Sequence, residues 1–224
     1  ACMACTAAFA QTVKPFKEGE RAVFLGNSIT DGGHYHSYIW LYYMTRFPDM
    51  PIRVFKGGIG GDTAYDMNKR LDGDIFAMKP SVLMVTFGMN DSGYFEYNGD
   101  KPKEFGEQKY QESIKNYQQM EKRFKDLPDT RIVMVGTSPY DETVQLKENT
   151  PFKTKNETIK RLVEYQKESA AKNNWEFTDL NAPMTAINQQ YQQKDPTFTL
   201  CGSDRIHPDN DGHMVMAYLF LKAQ

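Results

Sequence analysis

The chain has 224 residues, 40% of them hydrophobic and 25% charged, ample for a single globular domain with a sizeable core. Its 27 Lys and Arg against 29 Asp and Glu leave a net charge of −2. With no long basic run, this excludes the concentrated positive face that nucleic-acid binding needs, and no apolar stretch has the length of a membrane span.

The first ten residues, "ACMACTAAFA", are small, apolar and uncharged, and end in Ala8-Phe9-Ala10 before Gln11. That is the A-x-A pattern of a signal-peptidase site behind a truncated apolar segment. We therefore expect a partial signal peptide over 1–10, a domain over 11–224 and an exported protein, periplasmic or extracellular. A buried N-terminal helix is the alternative. A lipoprotein anchored through Cys5 is a weaker reading, because Cys2 stands where a lipobox prefers leucine. Without that segment one cysteine remains, Cys201, which cannot form an intramolecular disulfide and reads as a packed small residue.

Short apolar runs then alternate with longer segments of helical spacing. Strands are predicted at 21–25, 52–55 ("IRVF"), 81–87 ("SVLMVTF"), 131–136 ("RIVMVG") and 175–179 ("WEFTD"). Helices are predicted at 37–47, 63–71, 107–126, 153–173 and about 210–222. No internal repeat interrupts this order. Strand–helix–strand alternation argues for an α/β fold, a three-layer α/β/α sandwich around a parallel sheet. Ligands in such folds sit beyond the carboxyl ends of the strands.

The loops that leave those ends are therefore informative. The first strand runs into "FLGNSITDGG", the second into "KGGIGGDT", the third into "GMND" and the fourth into "TSPYDET", and "SDRIHPDNDGH" stands near the C-terminus. Acyl transfer by serine needs a nucleophile, a base, a group that orients the base and donors for the developing oxyanion. Ser28 is the candidate nucleophile and His207 the candidate base. Asp204, three residues earlier, can fix the imidazole tautomer. The glycine-rich second loop and the Asn90 amide are candidate donors.

These ordered blocks, from residue 24 to residue 208, resemble those of the SGNH, or GDSL, hydrolase superfamily. The resemblance implies a flavodoxin-like fold and an esterase that works without a cofactor. It assigns Ser28, Asp204 and His207 to the triad, and an oxyanion hole to the Ser28 N–H, the Gly61 N–H and the Asn90 side chain. Absence of a Gly-x-Ser-x-Gly elbow argues against the α/β-hydrolase fold. One position departs from the family: its Gly-Asp-Ser block here reads Gly26-Asn27-Ser28. Asparagine keeps the size and one acceptor oxygen but loses the charge.

Other polar residues read as structural. His34 and His36 lie beside Asp31, but no third ligand at metal spacing stands near, so no metal is expected. Asp62 and Thr63 read as a helix N-cap, Asp211 as a cap for the helix carrying His213, and Asp91 as a brace for the Asn90 loop. Loops 92–106 and 138–153 mix rings with charges and amides. Tyr94, Tyr97 and Tyr140 are candidate substrate contacts there, or else they close these loops onto the core. A polar, aromatic rim suits a carbohydrate ester and therefore deacetylation. A short-acyl lipid esterase or thioesterase would share every catalytic residue. A carbohydrate-binding module on a degenerate fold is the non-enzyme alternative, against which the intact triad speaks. The sequence does not assign an oligomeric state.

Overall fold

A computed structural model describes residues 12–224; the export signal read at 1–10 lies outside the described residues. Five strands, β1 (Arg21–Gly26), β2 (Arg53–Gly58), β3 (Val82–Val85), β4 (Arg131–Gly136) and β5 (Glu176–Asp179), form one parallel sheet in the order β2-β1-β3-β4-β5. The helices are α1 (Ser28–Asp31), α2 (Tyr35–Arg46), α3 (Ala64–Lys69), α4 (Pro102–Lys125), α5 (Lys155–Asn173), α6 (Asn181–Gln192) and α7 (Asn210–Ala223).

Near-continuous apolar strands require cover on both faces, and successive residues alternate between two cores. Ala22, Phe24, Val82, Met84, Val133 and Val135 face one cluster, with Ile39 of α2, Met184 of α6 and Met216 of α7. Val23, Leu25, Leu83, Val85, Ile132 and Met134 face the other, with Met67 of α3, Tyr117 of α4 and Ala170 of α5. This is the predicted three-layer sandwich. In this strand order the chain reverses direction across the sheet between β1 and β3, and a crevice opens at their carboxyl ends.

The differences from the predicted elements have local causes. The third strand keeps ladder pairing only over Val82–Val85; beyond it Thr86 N–H donates to Leu25 O at 3.0 Å before the chain turns away. The fourth helix along the chain, α4, begins earlier than predicted, at Pro102, a residue suited to the first helical turn. Helix α6 has no counterpart among the predicted elements. Its buried stripe is Asn181, Met184 and Asn188, so two of three inward positions are amides and apolar periodicity is missing. Asn188 offsets its burial by accepting from Leu200 N–H at 2.8 Å.

Candidate active site

Strand β1 stops at Gly26, where a Cβ would lie 2.2 Å from Thr30 Oγ1. Asn27 then leaves the strand extended, and its Oδ1 accepts from Ile29 N–H at 3.0 Å, capping α1. Ser28 is the first residue of α1, where N–H groups have no partner within the helix. The end of β2 comes so close that a Cβ on Gly58 would sit 2.4 Å from Asp31 N; only glycine admits that approach. The serine is thus held at the sheet edge with both hydroxyl and N–H directed by a tight turn.

Ser28 Oγ lies 2.8 Å from His207 Nε2, and His207 Nδ1 lies 2.6 Å from Asp204 Oδ2. An ionised carboxylate can only accept, so Nδ1 carries the proton and the Nε2 lone pair faces the serine hydroxyl. Asp204 Oδ1 accepts from the N–H groups of Ile206 and His207, each at 2.9 Å. Burial pushes the Asp204 carboxyl up, but the bonds from His207 and these N–H groups outweigh it and leave it below the usual carboxylate value. The bond to Asp204 raises His207 above the ordinary histidine value, against partial burial.

The loops after β2 and β3 carry the other candidate groups. Gly61 has φ +85°, the left-handed region that glycine enters without strain. Asn90 Nδ2 donates to Asp62 O at 2.9 Å, and the Tyr94 hydroxyl donates to Asn90 Oδ1. An amide nitrogen has two N–H groups, and the bond to Asp62 uses one. Asp91 is buried and braces the turn, as expected: it accepts from Gly88 N–H at 2.9 Å, Ala64 N–H at 2.9 Å and the Ser113 hydroxyl at 3.0 Å. Burial raises its carboxyl, and these bonds oppose the rise. Serine, imidazole, left-handed glycine and amide can together attack a carbonyl and cradle the charge that results.

The candidate rim residues separate. Tyr97 is 3% exposed, with its hydroxyl donating to Ser92 O at 2.8 Å and accepting from the Thr158 hydroxyl at 3.0 Å. Tyr140 is 1% exposed and accepts from Phe152 N–H at 3.0 Å. These two close their loops onto the core and do not face a substrate, because their hydroxyls have found partners inside. Tyr94 stays at the site, on Asn90. Beyond it Phe95 is 79% exposed and packs edge-on to Phe152, with centroids 5.6 Å apart.

Asp62 is not a helix cap either. It pairs with Arg70 at 2.6 Å, while Thr63 and Asp66 form the capping box of α3. The cap position of α7 is Asp209, not Asp211. His213 is buried against Tyr35, with nearly parallel rings. His36 donates to Thr30 O at 3.1 Å, and His34 bonds Asn210 Oδ1 at 2.7 Å. Among the described residues no group of three or more His, Cys, Asp or Glu is arranged to hold a metal ion. Cys201 is buried, and burial pushes its thiol up to about 12. Two residues of the site's support belong to no motif and escape sequence reasoning. Arg70 donates to Gly57 O at 2.8 Å and Gly26 O at 3.2 Å besides Asp62. Lys155 lies under the Asn90 loop; a cation in the first turn of a helix, against the helix dipole, is its one signal.

The profile of the GDSL-like Lipase/Acylhydrolase family matches residues 24–215. An acetylxylan esterase of Geobacillus stearothermophilus is 26% identical over 220 residues, covering 91% of this chain and 93% of its own. A solved structure of a catalytic mutant of an acetylxylan esterase from that organism superposes with a TM-score of 0.73 at 23% identity, over 94% of this chain and 96% of the other. A solved structure described as a gut microbial diltiazem-metabolizing enzyme is 85% identical, with a TM-score of 0.95 over 96% of this chain. This chain spans about half of that one, 48%. A profile match across four ordered blocks on this sheet settles the family: the chain belongs to the GDSL-like lipase/acylhydrolases, a family of carboxylic ester hydrolases.

Proposed function

We propose that this chain is an exported serine esterase that removes acetyl groups from alcohols, carbohydrates foremost. The observation that carries the reading is the continuous relay from Ser28 Oγ through His207 to Asp204, at 2.8 and 2.6 Å. In the first step Ser28 Oγ bonds to the acyl carbon and its proton passes to His207 Nε2. The carbonyl oxygen takes up the displaced electron pair between the N–H groups of Ser28 and Gly61 and the free N–H of Asn90. Collapse of this intermediate breaks the bond to the alcohol, which takes the proton from His207. Water then repeats the sequence on the acyl-enzyme, releasing acetate and restoring the serine.

The acyl length rests on what the variable loops lack. Loops 92–106 and 138–153 offer no continuous aliphatic wall for a long chain. Next along the loop from Tyr94, which bonds Asn90, stands the exposed Phe95 ring packed against Phe152. Such a ledge suits a flat ring on the alcohol side, whether a pyranose or an aryl system. The acetylxylan esterase relative supports the carbohydrate choice.

The test is an ester panel on wild type and Ser28→Ala. We expect acetyl esters to be cleaved with higher kcat/KM than octanoyl esters, acetylated xylo-oligosaccharides to be substrates, and a fluorophosphonate probe to label Ser28 alone. Wild-type turnover in Ser28→Ala sinks the mechanism. A preference for octanoate moves the protein to lipid esters.

A further inference from the structure

The geometry points to Lys155 as a positioning residue for the Asn90 oxyanion donor, acting through the loop carbonyls on either side of Asn90 and through the Tyr94 ring. This role rests on Asn90 serving as that donor in the proposed esterase.

Lys155 is the first residue of α5 and is 0% exposed. A buried ammonium at the positive end of a helix is unfavourable on two counts, desolvation and the dipole. What compensates is specific. Nζ donates to Met89 O at 2.7 Å, to Ser92 Oγ at 2.6 Å and to Gly93 O, so all three ammonium hydrogens are used. These acceptors bracket Asn90 in the chain. One cation therefore ties together both ends of the turn that carries the amide.

The same ammonium lies 3.9 Å from the centroid of the Tyr94 ring. That ring's hydroxyl donates to Asn90 Oδ1, and Asn90 Nδ2 donates to Asp62 O. A cation on the ring face is attracted by its negative quadrupole and draws electron density from it, which makes the phenol a stronger donor. Donation into an amide oxygen in turn polarises its N–H groups, since hydrogen bonds in a chain reinforce one another. Lys155 thus both fixes where the Asn90 N–H points and strengthens it where charge develops. The charged groups facing Lys155 are Asp91 and Glu142, with Tyr94 and Tyr140; burial lowers the lysine to about 7 against the two carboxylates. Glu142 accepts from Thr154 N–H at 2.9 Å and from Asn156 N–H, which holds the start of α5 in place.

The test compares Lys155→Met, Tyr94→Phe and their double mutant on p-nitrophenyl acetate, with Asn90→Ala as reference. Misplacing a catalytic group by about 1 Å costs about 10²-fold. We expect each single variant to lose about tenfold or more in kcat with KM within about threefold, and the double mutant to be little worse than either. Strictly additive losses, or a raised KM at unchanged kcat, overturn the proposal. So does a Lys155→Met protein that melts lower but keeps wild-type kcat at 10 °C. Should Lys155→Met not fold, Tyr94→Phe and Ser92→Ala decide it, since they remove the relayed hydroxyl and one acceptor of the ammonium. Wild-type kcat in both overturns it. If Asn90→Ala loses kcat while these variants do not, only the role of Lys155 fails. If Asn90→Ala keeps wild-type kcat, the oxyanion reading fails and takes this inference with it.

Discussion

The two walls of the site orient their proposed reacting side chains in different ways, though each rests on a buried cation that donates to distant carbonyls, Arg205 in one and Lys155 in the other. On the His207 wall the bonds that orient the imidazole are local, since Asp204 reaches only two and three residues along its own loop, to Ile206 and His207. The buried Arg205 between Asp204 and His207 anchors that loop, donating to Asp141 O at 3.1 Å and Val144 O at 2.7 Å. The Asp204 and His207 side chains are about half exposed. On the Asn90 wall the bonds come from afar. Asp62 lies 28 residues away, and Lys155 binds carbonyls 66 and 62 residues distant; Asp91, Ser113 and Lys155 are all buried. The difference comes from the two tasks. A proton relay needs one orientation and a tuned base, which a short loop can supply beside water. Donors for an oxyanion act by being fixed before charge appears, and that requires a rigid, water-poor support.

This contrast makes activity and stability separable. Asp204→Asn should break the relay with the largest loss, about 10⁴-fold in kcat by the wrong-tautomer effect. Its cost in stability should be under about 1 kcal/mol, because the pair is half exposed. The pH profile should move too. Asp204 raises His207, so the neutral base forms only at higher pH, and the acid limb of kcat/KM should shift downward in the variant. Urea unfolding and pH–rate profiles on acetyl esters check both; a large loss of stability would mean that the Asp204–His207 pair, and not only Arg205, holds this loop in place.

Asn90→Ala should come next, lowering kcat by about 10²–10³ with a smaller change in KM, as expected of a donor to charge present mainly in the transition state. A higher KM at constant kcat would make Asn90 a binding residue. Arg70→Met should reverse the pattern of Asp204→Asn. It strands the largely buried Asp62 carboxylate and two strand-end carbonyls, Gly26 O and Gly57 O. We expect a loss of about 3 kcal/mol in urea unfolding, with kcat falling less than in Asn90→Ala. Adding Asp62→Asn should restore part of the stability. Unchanged unfolding would show that the Asn90 wall does not depend on this support.

The same difference governs what can be read from the chain. Asp204 and His207 are legible because one short loop carries both, and Ser28 because the strand ends at Gly26-Asn27-Ser28. The layered sheet and its two cores are legible in the alternating apolar runs. Arg70 and Lys155 are not legible: their partners are backbone carbonyls, which every residue has, and nothing in composition marks which carbonyl a distant lysine will meet. Tyr97 and Tyr140 fail as rim residues for a related reason. A tyrosine in a polar loop looks the same whether its hydroxyl meets solvent or a buried Ser92 carbonyl. Helix α6 is hidden by its inward amides, which take hydrogen-bond partners inside where apolar residues would have shown a period.

The smallest effect is expected where the family pattern itself is broken, at Asn27. The residue is 2% exposed, and its Oδ1 caps α1 by accepting from Ile29 N–H. An aspartate can accept that bond equally well, so the cap survives Asn27→Asp. What changes is charge beside Ser28. Were that charge felt at His207, it would favour the imidazolium, and the acid limb of kcat/KM would move to higher pH, since a base that holds its proton more tightly is free only at higher pH. We expect little of this. Asp204 already bonds His207 directly at 2.6 Å and supplies the negative partner, and the helix-start N–H groups hold the new carboxylate locally. The rate should change at most about threefold, with the pH profile nearly fixed. A pH–rate profile of both proteins on one acetyl ester decides it. An acid-limb shift of about one unit, on the order of 1.4 kcal/mol, would mean that position 27 tunes the base and that the His207 wall is less self-contained than its short-range bonds imply.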